Sequence, residues 1–157
     1  MNGERLQLLH RTLVTANEED KKNNRVGPIL AMAHFQGRLL VGFGQSVRLY
    51  ELGKKQLLRK CEIRKILPTG VKTLQTVGDR AYVGDLIQSI RMIQYDNQTN
   101  QLTLIATDPC PRPIVCQELL DWNTIAIGDK FGNISILRLP RGAIAEMGSK
   151  RISNRVS

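Results

Sequence analysis

A chain of 157 residues with 41% hydrophobic content carries enough apolar surface for an ordinary globular core. No apolar run approaches the ~20 residues that a membrane-spanning helix requires, and the N-terminus lacks the apolar stretch of a signal peptide. The net charge is +9 at pH 7, and the three cysteines, Cys61, Cys110 and Cys116, make an odd count that reads as free thiols in a reducing compartment.

In chain order, residues 5–14 read as an isolated strand with Leu6, Leu8 and Leu13 apolar. Residues 16–27 are polar and charged and are expected as a flexible loop. Four strands follow at 29–35, 38–43, 46–52 and 57–63, separated by Gln36-Gly37 and by Gly53-Lys54-Lys55. Four more are predicted at 72–77, 80–84, 88–95 and 102–107, with turns at Gly78-Asp79 and at 97–100. Three are predicted at 114–119, 124–128 and 133–139, the first two joined by Asp121-Trp122-Asn123. These assignments rest on β-branched enrichment, short length and Gly/Asn/Asp punctuation. No fourth strand follows the last group. Residues 141–157 have no strand pattern and are expected as a disordered tail in which 143–147 could form a helical turn.

The three groups repeat one another. Arg38-Leu39-Leu40-Val41-Gly42 precedes Ser46-Val47-Arg48-Leu49-Tyr50. Arg80-Ala81-Tyr82-Val83-Gly84 precedes Ser89-Ile90-Arg91-Met92-Ile93. Thr124-Ile125-Ala126-Ile127-Gly128 precedes Asn133-Ile134-Ser135-Ile136-Leu137. The glycines stand 42 and 44 residues apart, and a period of roughly 40–45 residues built from short strands is the mark of four-stranded propeller blades. The predicted fold is all-β: a partial WD40-like β-propeller of about two full blades plus parts of two more. Residues 1–15 would be the outer strand of a preceding blade and 28–140 the blades proper. Gly42, Gly84 and Gly128 should fall at equivalent places on their second strands. Such an architecture favours a binding platform over an enzyme.

No constellation for catalysis, metal or cofactor emerges. Cys110 and Cys116 are separated by five residues and lack the paired ligands of a zinc site; their prolines read as a rigid connection between blades. Gly42-Phe43-Gly44 is not followed by the Gly-Lys-Ser/Thr of a phosphate loop. His34 has no nucleophile or orienting acid nearby in sequence. Asp85 and Asp129 each follow a blade glycine and are expected to accept backbone N–H bonds in strand-ending turns. Aromatic residues are few and scattered, unlike the clusters of single-strand RNA readers.

The charge is uneven: residues 1–70 carry 13 Lys/Arg against 6 Asp/Glu, and residues 71–140 carry 6 against 7. Lys54, Lys55, Arg59, Lys60, Arg64 and Lys65 lie close together with only Glu62 opposing. They are the candidate contacts to nucleic acid or to an acidic partner; the alternative is a solvated outer strand whose lysines suppress edge pairing. Strict alternation puts Arg59 and Cys61 on one face and Lys60 on the other.

Several segments resemble the large propeller subunit of the splicing factor 3b complex: 35–38, 47–55, 57–62, Asp129-Lys130-Phe131-Gly132-Asn133-Ile134 and Leu137-Arg138-Leu139-Pro140, with 3–12 similar to the strand before that region. The resemblance covers about residues 3–141. It extends more loosely to the large subunits of the cleavage and polyadenylation specificity factor and of the damaged-DNA-binding complex. It implies part of a much longer three-propeller chain, a nuclear scaffold near the intron branch site in the U2 small nuclear ribonucleoprotein. It further implies, as partners, a helical-repeat subunit and a small companion subunit of the same complex, with RNA touched indirectly if at all. It implies no membrane, no small-molecule substrate, no cofactor and no catalytic residue. Related adaptors in mRNA 3′-end processing or damaged-DNA recognition are the alternative reading, as is direct nucleic-acid binding through 54–65. The chain departs from the pattern at Phe43, which stands where the other repeats have Asp85 and Asp129, and beyond residue 141.

Overall fold

The computed structural model describes residues 3–15 and 27–140. Among the described residues, eleven strands form three antiparallel sheets, each a meander in sequence order. The first sheet holds β1 (Ile29–Phe35), β2 (Arg38–Phe43), β3 (Ser46–Leu52) and β4 (Leu57–Ile63). The second holds β5 (Val71–Val77), β6 (Arg80–Asp85), β7 (Ser89–Asp96) and β8 (Gln101–Thr107). The third holds β9 (Ile114–Asp121), β10 (Thr124–Asp129) and β11 (Ile134–Arg138). The inner strand β1 lies against β5, and β5 against β9. The chain is therefore a partial β-propeller, with two four-stranded blades and a third of three strands.

Local chemistry explains the hairpins. Gln36 and Gly37 have φ of 51° and 74°, the pair of positive values that a tight two-residue turn requires. Elsewhere a carboxylate closes the turn. Asp129 Oδ1 accepts the Phe131 and Asn133 N–H groups at 2.8 and 3.0 Å, and Asp85 Oδ1 accepts the Ile87 N–H at 2.6 Å.

The anchor glycines occupy one equivalent place, the fifth residue of β2, β6 and β10. Gly42 pairs with Ala31 and Val47, Gly84 with Thr73 and Ile90, Gly128 with Cys116 and Ile134. Space dictates the residue type. A Cβ on Gly42 would lie 2.2 Å from Val71 Cγ1, and one on Gly84 would lie 2.1 Å from Thr73 Oγ1 and 3.3 Å from Ile114 Cδ1. Val71 and Ile114 are the first residues of the next blades' inner strands and are fully buried. Gly42 and Gly84 are thus notches into which the following blade is set, while a Cβ on Gly128 would lie 2.8 Å from Cys116 Sγ of its own blade.

Two apolar cores fill the gaps between sheets. One joins Leu40, Val47 and Leu49 of the first blade to Leu74, Val83, Ile93 and Tyr95 of the second. The other joins Tyr82, Ile90 and Met92 to Ile114, Ile125 and Ile127 of the third. Burying a side chain of this size stabilises by about 1.5–3 kcal/mol, so the blades are held chiefly by their faces.

The ladders also contain regular irregularities. Each inner strand carries an unpaired residue at its second position, Leu30, Lys72 or Val115, and β9 carries another at Leu120. The outer strands do so at Lys60 and Ile105. The bulge at Lys60 corrects the expectation from strict alternation. Tyr50 opposes Arg59 while Leu49 opposes Cys61, so Arg59 and Cys61 face opposite ways, as a single inserted residue requires. The strand expected over 5–14 is also not observed: residues 3–15 join no ladder among the described residues. Of the loop expected over 16–27, residues 16–26 lie outside the described residues, as does the tail over 141–157.

Candidate interaction surface

The six basic candidates do not form one patch. Lys54 and Lys55 lie on the exposed β3–β4 turn, at one end of the first blade. Arg64 and Lys65 lie just past β4, at the other end. The seven residues of β4 separate these ends by roughly 20 Å, at about 3.4 Å per residue.

Three of the six are already engaged by acids. Lys60 Nζ lies 3.0 Å from Glu51 Oε2, and that hydrogen bond and charge hold the Glu51 carboxyl below its usual range. Arg59 and Arg64 both reach Glu62, the latter at 3.3 Å. Lys54, Lys55 and Lys65 form no ion pair among the described residues. Edge exposure and charge fit them for a loose electrostatic contact.

Glu62 also binds a residue that sequence reasoning passed over. Arg48 Nη2 donates to Glu62 Oε2 at 3.2 Å and to the Thr15 carbonyl at 3.0 Å. Its Nη1 donates to the Tyr50 hydroxyl at 3.0 Å. The guanidinium lies 4.5 Å from the centre of the Phe43 ring, a cation–π distance. Both side chains are nearly sealed from water, 5% exposed for Arg48 and 4% for Glu62. Phe43, the residue that departs from the Asp85/Asp129 pattern, is therefore one wall of this charged cluster.

The remaining sequence candidates take structural places. His34 Nε2 accepts the Gly37 N–H at 3.0 Å and so braces its own turn. Asp85, fully buried, accepts from the Thr69 backbone N–H at 3.1 Å and from the Thr69 hydroxyl, tying its turn to the connection between blades. Burial pushes its carboxyl up, but the hydrogen bonds from the Thr69 hydroxyl and from the Ile87, Thr69 and Gln88 N–H groups outweigh this and hold it low. Cys110 and Cys116 are exposed and Cys61 is half-buried, all three as free thiols.

Residues 17–157 match the family described as the CPSF A subunit region. The chain belongs to that family. Among similar members, the probable splicing factor 3B subunit 3 of Dictyostelium discoideum is 45% identical over 138 residues, 88% of this chain and 10% of the relative. Splicing factor 3B subunit 3 of Danio rerio is 46% identical over 138 residues, 88% of this chain and 10% of the relative. Spliceosome-associated protein 130 A of Arabidopsis thaliana is 42% identical over 146 residues, 93% of this chain and 11% of the relative. The chain thus spans about a tenth of these CPSF A family members. The resemblance seen in segments such as 47–55 and 129–134 extends over nearly the whole chain, and it runs to the splicing members.

Proposed function

We propose that the chain is a non-enzymatic scaffold segment of a pre-mRNA splicing factor, acting in the nucleus within the U2 small nuclear ribonucleoprotein. Its partners on this reading are the helical-repeat subunit and the small companion subunit of the splicing factor 3b complex. The observation that carries the reading is the 42–46% identity to splicing factor 3B subunit 3 and spliceosome-associated relatives across most of the chain. It is supported by chemistry. The carboxylates at the blade turns are occupied in holding backbone, and the buried ion pair of Arg48 and Glu62 is walled by aromatic rings. Blades with stiff, closely joined turns suit the holding of other proteins.

Of the basic stretch, Lys54, Lys55 and Lys65 are the residues proposed to meet an acidic surface, because Arg59, Lys60 and Arg64 are neutralised within the first blade. Purification of the tagged protein from nuclear extract is the test. Branch-site splicing proteins should come with it after nuclease treatment. Recovery of 3′-end cleavage factors or of a cullin ligase in their place would favour the related adaptors instead.

A further inference from the structure

One end of the three blades is a continuous hydrogen-bonded rim. The connection between β4 and β5 is tied to the first blade, with Val71 N–H donating to the Gly44 carbonyl at 2.7 Å and Ile66 N–H to the Gln45 carbonyl at 2.8 Å. Thr69 of the same connection is tied forward to Asp85, which also accepts from Ile87 in the β6–β7 turn. Just past that turn, Ser89 Oγ donates to Asp108, and the Asp108 N–H donates to the Ile90 carbonyl at 3.0 Å. The β8–β9 connection that begins there contains Pro109, Pro111 and Pro113, which fix φ at three positions. Its end is tied in turn to the β10–β11 turn, where the Lys130 N–H donates to the Pro113 carbonyl at 3.1 Å. Backbone with this many bonds along its length presents its side chains without much ordering cost.

What the rim presents is apolar and positive. Leu86 and Ile87 are 47% and 56% exposed, and Phe131 is 72% exposed. Lys65 and Lys130 are exposed and have no acidic partner among the described residues; the Lys130 ammonium rests 5.1 Å from the Phe131 ring centre. Of the three aspartates at this end, Asp85 is buried, and all three are engaged by neighbouring donors. Asp85 and Asp129 cap turns, and Asp108 is held by Ser89 and Arg112.

We infer that this rim, at Lys65, Leu86, Ile87, Lys130 and Phe131, docks a segment of a partner protein that carries carboxylates next to aliphatic or aromatic side chains. Exposed aliphatic tips on rigid turns gain little from nucleic acid, whose bases stack on aromatic faces. The rim offers one such face, and it already carries Lys130. An acidic apolar segment satisfies both features, with leucine-like side chains covering Leu86 and Ile87 and carboxylates meeting the two ammonium groups.

This inference rests on the scaffold reading but can fail separately from it. The test is fluorescence anisotropy of the purified chain with a labelled synthetic 16-residue peptide of alternating Asp/Glu and Leu/Phe, with a uridine RNA of similar length as the comparison. Lys65→Glu with Lys130→Glu should weaken peptide binding about tenfold or more at low salt. Ile87→Ala with Phe131→Ala should weaken it about fivefold in a chain that keeps its β-sheet circular dichroism. Lys54→Glu with Lys55→Glu, at the opposite end, should stay within about twofold. Equal loss in that opposite-end variant would mean attraction by net charge alone and would overturn the site. Tighter binding of the RNA than of the peptide through Lys65 and Lys130 would overturn it as well. Intact copurification with splicing proteins alongside no peptide binding defeats the rim alone. Rim binding without such copurification defeats the scaffold reading alone.

Discussion

Glu62 gathers three guanidinium groups, from Arg48, Arg59 and Arg64, on a carboxylate that is 4% exposed. Arg59 and Arg64 are half or more open to water, and exposed pairs of that kind contribute about 0–1 kcal/mol. Arg48 is different, because its charge has been taken out of water and depends on Glu62, Tyr50 and two ring faces. Glu62→Ala should therefore destabilise by about 3–5 kcal/mol, whereas Arg48→Met combined with Glu62→Leu should cost far less, since the stranded charge goes with its partner. Urea denaturation of the two variants checks this; equal losses would mean that the pair itself, and not the abandoned charge, carries the energy. None of this was legible in the sequence. Alternation along β3 sets Val47, Leu49 and Glu51 against Arg48, Tyr50 and Leu52, and says nothing of what covers either face. Only the three-dimensional neighbours of β3 reveal that Phe43 and Thr15 close over it.

At the level of strands and turns, sequence and structure agree closely, and the exceptions have physical causes. Short β-rich runs broken by Gly, Asn and Asp marked all eleven strands to within two residues at either end. The aspartates after Gly84 and Gly128 cap their turns as Asx chemistry demands. The bulge at Lys60 was not legible, because one inserted residue leaves composition unchanged while it reverses the side chains beyond it. Residues 3–15 have a strand's composition without a strand's partner, and a ladder needs two sides. The turn at Asp85 carries a testable consequence. Its folded carboxyl lies below the unfolded value of about 3.9, so its stabilisation is complete above that value and drains away as the pH falls through the folded value. Asp85→Asn should cost about 1–3 kcal/mol at pH 7, because one amide N–H₂ would face the donors of Thr69 or Ile87. The gap between wild type and variant should narrow as the pH falls through the folded value. Thermal melts across that range measure it, and a pH-independent gap would show that charge at Asp85 plays no part.

For the whole molecule, the first and last blades turn unlike faces outward. Leu30 and Met32 are 53% and 61% exposed on β1, and Ile134 and Ile136 are 80% and 56% exposed on β11, an edge strand. Between the second and third blades a cleft of about 260 Å³, lined by Ile90, Met92, Ala106, Ile125 and Leu137, lies in the place where β4 packs toward β8 one blade earlier. A 157-residue molecule with these surfaces should self-associate. Sedimentation velocity should show weight-average mass rising with concentration, and a single monomer boundary at every loading would refute it.

The inner strands of the first two blades meet across two small side chains. Ala31 and Ala33 of β1 pack against the shared core, while the larger Phe35 of the same strand and Leu74 of β5 are buried in it. The alanines let β1 and β5 approach one another, and the angle between the two sheets is set in part by how close that approach is. Enlarging Ala33 would push the inner strands apart, and with it alter how many such sheets complete a circle.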